Sequence, residues 1–171
     1  QARSGELLIE VADREGVEIP RLCYKPGLAE VGNCRACVVE IAGERVLAPA
    51  CCRTATSGMT VATGSERARK SQRLVLELLQ ADMPAQAYTR NNELERWAAK
   101  LDVGLPRFAP RVQPPPDLSH PAMAVHLDAC IQCTRCLRAC RDEQVNDVIG
   151  LAARGAGMRI MFDMDDPMGA S

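Results

Sequence analysis

Four cysteines, Cys130, Cys133, Cys136 and Cys140, stand in the pattern C-x2-C-x2-C-x3-C. That is the run of a bacterial-type cubane iron–sulfur site. Thiolate is the soft ligand such clusters require, and gaps of two or three residues let successive sulfurs converge on one cluster. In this pattern the first three cysteines hold one [4Fe-4S] cluster, and the fourth reaches across to a second whose own run reciprocates. No second run follows before Ser171, so the module reads as half of a pair, with Cys140 lacking its cluster and the Cys130 cluster its fourth thiolate. Arg141 stands where the simple bacterial run has proline.

A second group lies upstream. Cys23, Cys34, Cys37 and Cys51 give C-x10-C-x2-C-x13-C. A central C-x2-C followed by a hairpin is a loop-borne [2Fe-2S] signature, although plant-type ferredoxins have four residues in the first gap where this chain has ten. Four thiolates also suit structural zinc, but zinc sites usually take two short knuckles and only one is present. Cys51 and Cys52 are neighbours, and only one of them can face a cluster.

Nine cysteines in 171 residues invite a disulfide reading. Five fall between 23 and 52, four between 130 and 140, and none in the 77 residues between. Disulfides staple distant loops in an oxidising compartment. Tight local groups with two-residue gaps favour metal ligation instead. A net charge of −1 gives no pull toward nucleic acid or anionic membrane. No apolar run approaches the ~20 residues of a membrane span, and no secretory signal is visible, which points to the cytoplasm. The chain opens on Gln1 without methionine, which suggests a fragment. Aromatics are only 3% of the residues, so bound clusters would supply cross-links that packing does not.

The positioning elements follow from periodicity. Residues 5–15 predict a helix capped by Ser4 and stopped by Gly16. Residues 38–41 and 45–48 predict a hairpin around 42–44, with a short edge strand over 58–61. Residues 65–81 predict a helix with Leu74, Leu78 and Ala81 on one stripe, Val75 and Leu79 on its neighbour, and a basic early part that reads as a solvated face. Pro84 ends it. A second helix covers 91–101 with Leu94, Trp97, Ala98 and Leu101 inward. Six prolines between 104 and 121 mark a semi-rigid linker wrapped over a surface. Residues 123–127 predict a strand, 136–143 a short helix, and 148–152 with 158–162 a hairpin across Gly155-Ala156-Gly157. His120 and His126 read as surface or strand-edge histidines rather than ligands, because the cysteines already supply the donors.

Taken together, several motifs carry a resemblance. Pro20-Arg21-Leu22-Cys23-Tyr24, Gly32-Asn33-Cys34-Arg35-Ala36-Cys37-Val38-Val39-Glu40 and Pro49-Ala50-Cys51 resemble an amino-terminal [2Fe-2S] domain. That domain is shared by the large subunit of respiratory NADH dehydrogenase, iron-only hydrogenases and NAD-dependent formate dehydrogenase. Ser119 to Val125, Cys130-Ile131-Gln132-Cys133 and Gln144 to Gly150 look like the alpha subunit of molybdenum- or tungsten-containing formate dehydrogenase. The resemblance implies an α+β fold. It places a β-grasp [2Fe-2S] ferredoxin domain at 1–64, truncated because its initial strands are missing. A helical region and Pro-rich linker follow at 65–118, and a partial [4Fe-4S] ferredoxin module at 119–171. It puts the fourth [2Fe-2S] ligand seven residues before the Gly58-Met59 pair, at Cys51, leaving Cys52 a small buried hydrophobe.

Relatives often carry a further cubane site of the form H-x3-C-x2-C-x5-C after the long helix. Residues 82–92 hold no histidine or cysteine, so that cluster should be absent. The resemblance also implies a catalytic domain, outside these residues, that holds molybdopterin guanine dinucleotide and oxidises formate to carbon dioxide. Electrons would leave through the clusters to a flavin- and NAD-binding partner subunit. This stretch would then be part of an enzyme without carrying its catalytic centre, and no triad, phosphate-cradling loop or paired-carboxylate site is visible in it. Arg35, Arg135 and Arg138 lie beside the cysteines and read either as cations that raise cluster potentials or as solvated side chains. A zinc-stabilised interaction module, or a piece of an NADH dehydrogenase or hydrogenase subunit, are the alternatives.

Overall fold

The structure, a computed structural model, describes residues 2–85, 88–89 and 92–170. Helix α1 spans Leu8–Arg14. Its N-cap is Leu7 rather than Ser4, because the Glu10 carboxylate accepts the Leu7 N–H at 2.9 Å and fixes the first turn. Gly16, at a φ of 70°, takes the left-handed conformation that releases the chain. Leu8, Ile9 and Ala12 form its buried face.

That face packs on a three-stranded antiparallel sheet in the order β2-β1-β3. Strand β1 (Val38–Ile41) is central, β2 is Ala48–Pro49 and β3 is Val61–Ala62. Val38 faces Pro49 on one side, and Ile41 faces Val61 on the other. The hairpin is wider than its sequence suggests. A tight turn at Gly43 follows β1, and Arg45 to Leu47 are used in the return, leaving Val46 exposed. The edge strand starts later than expected, since a turn closed by Met59 N–H on the Thr56 carbonyl occupies residues 56–59.

Helix α2 (Glu66–Ala81) is capped by Ser65, whose hydroxyl accepts the Ala68 N–H at 3.2 Å. Val75 and Leu79 pack on the core as expected, but the other expected stripe does not hold. Leu76 is fully buried and Leu78 points outward, because Gln72 and Glu77 also turn inward. Gln72 donates its amide to the Val38 carbonyl at 2.9 Å and so docks α2 on β1. Helix α3 (Glu93–Lys100), capped by Asn92, buries Leu94 and Ala98 against α2. Asn91, expected at its start, lies outside the described residues.

Two apolar cores result. One joins α1 to the sheet and includes Cys37 and Cys51. The other joins Leu22, Ala36, Leu76 and Leu94, with Cys34, Trp97 and Ile131 packed against it. Residues from both cysteine-bearing loops, Leu22, Cys34 and Ala36 from the first and Ile131 from the second, thus pack on the helix pair.

The proline-rich stretch runs over α2, where Glu77 and Asp82 clasp its arginines. Glu77 accepts from Arg107 N, Nε and Nη2 at 2.7–3.0 Å. Asp82 accepts the Arg111 N–H at 2.9 Å and pairs with its Nε at 3.1 Å. Residues 123–127 form no strand. A turn, in which Ala122 N–H reaches His120 Nδ1 at 3.1 Å, takes up the approach, and Val125 makes only an isolated bridge with Asp117. A single turn of tighter helix then covers Leu127–Ala129. Helix α4 (Arg135–Arg138) widens into one π-type turn over Ala139–Glu143. Strands β4 (Ile149–Ala152) and β5 (Arg159–Phe162) pair antiparallel, with Ile149 opposite Phe162, across the expected Gly155–Gly157 turn. Among the described residues, no helix is long and apolar enough to cross a membrane.

Candidate metal centre

Cys23 leaves the extended Pro20 segment, Cys34 and Cys37 flank the turn before β1, and Cys51 follows β2. Antiparallel pairing of β1 with β2 brings the last two together: the Ala50 N–H meets the Cys37 carbonyl at 3.0 Å, and the Cys37 and Cys51 sulfurs lie 3.4 Å apart. The Cys34 sulfur lies 3.4 Å from the Cys23 amide nitrogen. Cys23, Cys37 and Cys51 are each at most 1% exposed, and Cys34 is half-buried. Two sulfurs bound to one tetrahedral metal at ~2.3 Å stand about 3.8 Å apart, so the Cys37–Cys51 pair is within reach of a shared ion. The sulfurs meet in pairs; among the described residues, no three His, Cys, Asp or Glu side chains converge on a single ion.

The electrostatics suit thiolate. Hydrogen bonds from the Cys34 and Cys51 thiols pull Cys23 far below its ordinary range, and the Cys51 thiol draws Cys37 down to about 7. The donors Cys34 and Cys51 are pushed up in turn, first by the sulfur they serve and then by burial. Peptide N–H groups add to this, from Asn33 and Cys34 at Cys23 and from Cys51 and Ala50 at Cys37. Four sulfurs so close cannot all ionise in a dry site without a cation between them. The donor set therefore fits an iron–sulfur cluster or another thiophilic metal. Cys52 lies outside this arrangement: it is exposed, not buried as expected, with its sulfur 3.6 Å from that of Cys51. Gly32 lies against it at a φ of 59°, where an added Cβ would approach the Cys52 sulfur to 2.9 Å.

Cys130 and Cys133 lie on a loop bent by left-handed residues Gln132 and Thr134, at φ 54° and 58°, and Cys136 follows in the first turn of α4. Thr134 is β-branched, so that conformation is unusual and marks a turn imposed by its surroundings. The Cys130 sulfur accepts the Gln132 N–H at 3.4 Å, and burial together with the nearby Cys133 sulfur pushes its thiol up. Cys136 is exposed. The Cys140 thiol donates to the Asn146 carbonyl at 2.5 Å, away from the other three.

The structure separates the three arginines. Arg35 is exposed, as the solvated reading expects. Arg135 pairs with Glu93 and donates to the Tyr24 carbonyl at 2.9 Å. Arg138 is 1% exposed, which overturns a solvated role. Its guanidinium reaches the carbonyls of Ala29, of Cys23 at 2.5 Å and of Cys133 at 3.3 Å. The Asn33 amide adds a further tie, to the Gln132 carbonyl at 3.0 Å. No spacing rule in the sequence signals these links. His126 is not at a strand edge but stacks on Tyr88, with ring centroids 3.5 Å apart.

Residues 1–66 match the family model of the 2Fe-2S iron–sulfur cluster binding domain. The chain is 31% identical over 164 residues to the mitochondrial NADH-ubiquinone oxidoreductase 78 kDa subunit of Candida albicans, covering 92% of this chain and 23% of that protein. It is 25% identical over 180 residues to the putative formate dehydrogenase YrhE of Bacillus subtilis (strain 168), covering 100% of this chain and 18% of that protein. The chain thus spans less than a quarter of each of these two relatives. Among solved structures it resembles a chain of an NAD+-reducing [NiFe]-hydrogenase in the H2-reduced state, with TM-score 0.86 and 26% identity over 98% of this chain and 75% of that one. These likenesses support a 2Fe-2S ferredoxin-type unit of mixed helix and sheet at the amino end.

Proposed function

We propose that this chain is an electron-relay segment of a larger oxidoreductase, with a [2Fe-2S] cluster on Cys23, Cys34, Cys37 and Cys51 and a [4Fe-4S] cluster on Cys130, Cys133 and Cys136. The observation that carries the reading is an amide-lined set of four sulfurs, three of them on buried cysteines, that meet in pairs within the residues that match the 2Fe-2S family. Such clusters take up and release single electrons. The chain's own residues do the rest. The α1–sheet core keeps water from Cys37 and Cys51, and peptide N–H groups favour the thiolate of Cys37. Cys140 is assigned to a further cluster completed by other residues. The working division is 1–64 for the first cluster domain, 65–118 for the helical region and linker, and 119–171 for the second.

Within that reading, formate oxidation by a molybdopterin-bearing domain elsewhere in the protein draws support from the motifs around Ser119, Cys130 and Gln144, and from the likeness to the putative formate dehydrogenase. The likenesses to the NADH-ubiquinone oxidoreductase subunit and to the hydrogenase give equal support to those complexes. In each case the partner is a flavin- and NAD-binding subunit, and the free thiols suit a cytoplasmic setting. Anaerobic isolation from its host tests both levels. A brown protein with an EPR signal on reduction supports the relay, whereas a colourless zinc protein overturns it. Assay of the intact native complex with formate, NADH and hydrogen identifies the donor, and activity without formate turnover removes the formate reading.

A further inference from the structure

Arg138 presents a problem of charge. Its side chain is 1% exposed, yet among the described residues it forms no ion pair. Its bonds go to three main-chain carbonyls, and its Nε–H is buried without a partner. Asp142 feels the guanidinium, but its own hydrogen bonds go to Arg141 at 2.6 and 3.2 Å. Burying a cation with only neutral acceptors is expensive, so such a group persists where an anion lies near. Two of the three carbonyls it binds belong to Cys23 and Cys133, one from each cysteine group, and the third is that of Ala29 in the first loop. A cluster of two ferric irons, two sulfides and four thiolates is anionic, and reduction makes it more so.

We propose that Arg138 is a positioning residue shared by both cysteine groups: one buried guanidinium ties the Cys23 loop to the Cys133 loop and offsets the negative charge of the cluster on each. The proposal rests on the iron–sulfur reading above. It assigns Arg138 two separable effects. Its fork holds the loops at a fixed separation, and its charge favours the reduced state of both clusters. Arg135 is the natural control, since it sits on the same helix and also reaches the first loop, through Tyr24, but its charge is met by Glu93.

The test is an EPR-monitored redox titration of the cluster-loaded chain, with hydrogen exchange measured alongside. In Arg138→Met both midpoints should fall, each by about tenfold in the reduction equilibrium, or ~59 mV for a one-electron couple. Arg135→Met should leave both in place. Arg138→Lys keeps the charge without the fork, so its midpoints should stay near those of the unaltered chain while exchange quickens in 23–29 and 131–134 together. Should Arg138→Met fail to hold clusters, Arg138→Lys decides alone. Unmoved midpoints in a loaded Arg138→Met, an equal shift in Arg135→Met, or quickening in only one loop of Arg138→Lys overturns the proposal. Absence of any iron–sulfur signal from the unaltered chain sinks the relay reading itself.

Discussion

The two cysteine groups are built on different foundations. Cys37 and Cys51 belong to the same buried cluster as Ile9, Val39 and Ile41, and a strand ladder fixes their separation. Cys130 and Cys133 sit on a loop with two left-handed residues, and Cys136, in the short helix α4 that follows, is exposed. Apart from Ile131, which packs on the α2–α3 core, what holds that loop is largely polar: Arg138, Arg111 and Gln113 reaching backbone carbonyls, and the Asn33 amide on Gln132. The first site keeps its shape by packing. The second depends far more on what it binds and on its neighbours.

The sharpest way to break that contrast is substitution at the adjacent pair. Cys51→Ser should abolish the [2Fe-2S] EPR signal, whereas Cys52→Ser, at an exposed sulfur, should leave it intact; the reverse would move the fourth ligand. Next in size is iron withdrawal by an anaerobic chelator. Hydrogen exchange in 127–146 should rise by orders of magnitude, while that in 36–52 changes several-fold at most. Equal loss in both regions would show that the first site is no better preorganised than the second. Ile9→Ala removes a fully buried side chain from the first core and should cost about 2–5 kcal/mol of its stability by denaturant titration, leaving the cubane signal in place. The smallest effect concerns acid. The Arg107 guanidinium holds the Glu77 carboxyl below its ordinary range, so this contact stabilises the fold above about pH 4 and is lost as pH falls through the depressed value. Proteolysis of the 104–111 stretch should therefore quicken below pH 4, and Glu77→Gln should reproduce that sensitivity at neutral pH.

Much of the framework was legible because its signals are local. Gly16 stops α1, the helical periods over 65–81 and 91–101 mark α2 and α3, and Gly155 to Gly157 turn the β4–β5 hairpin. Failures came where distant partners decide. Gln72 and Glu77 look solvent-facing in a helical pattern, yet the Val38 carbonyl and Arg107 draw them inward and rotate the buried stripe from Leu78 to Leu76. Residues 123–127 have a strand's composition, but among the described residues they pair only through the single Asp117–Val125 bridge. Spacing singles out Cys34 and Cys37 as a C-x2-C pair, whereas the choice of Cys51 over its neighbour Cys52 rests on the family resemblance. The burial of Arg138 follows from neither, since its acceptors at Ala29 and Cys23 lie 109 and 115 residues upstream.

The clasps at Glu77 and Asp82 have a mechanical consequence. A strap buckled twice to one rigid rod cannot pay out slack between its buckles. The span it bridges is thereby dictated by five residues of helix rather than by the strap's own length. A single residue added between Arg107 and Arg111 would throw the strap out of phase with the rod.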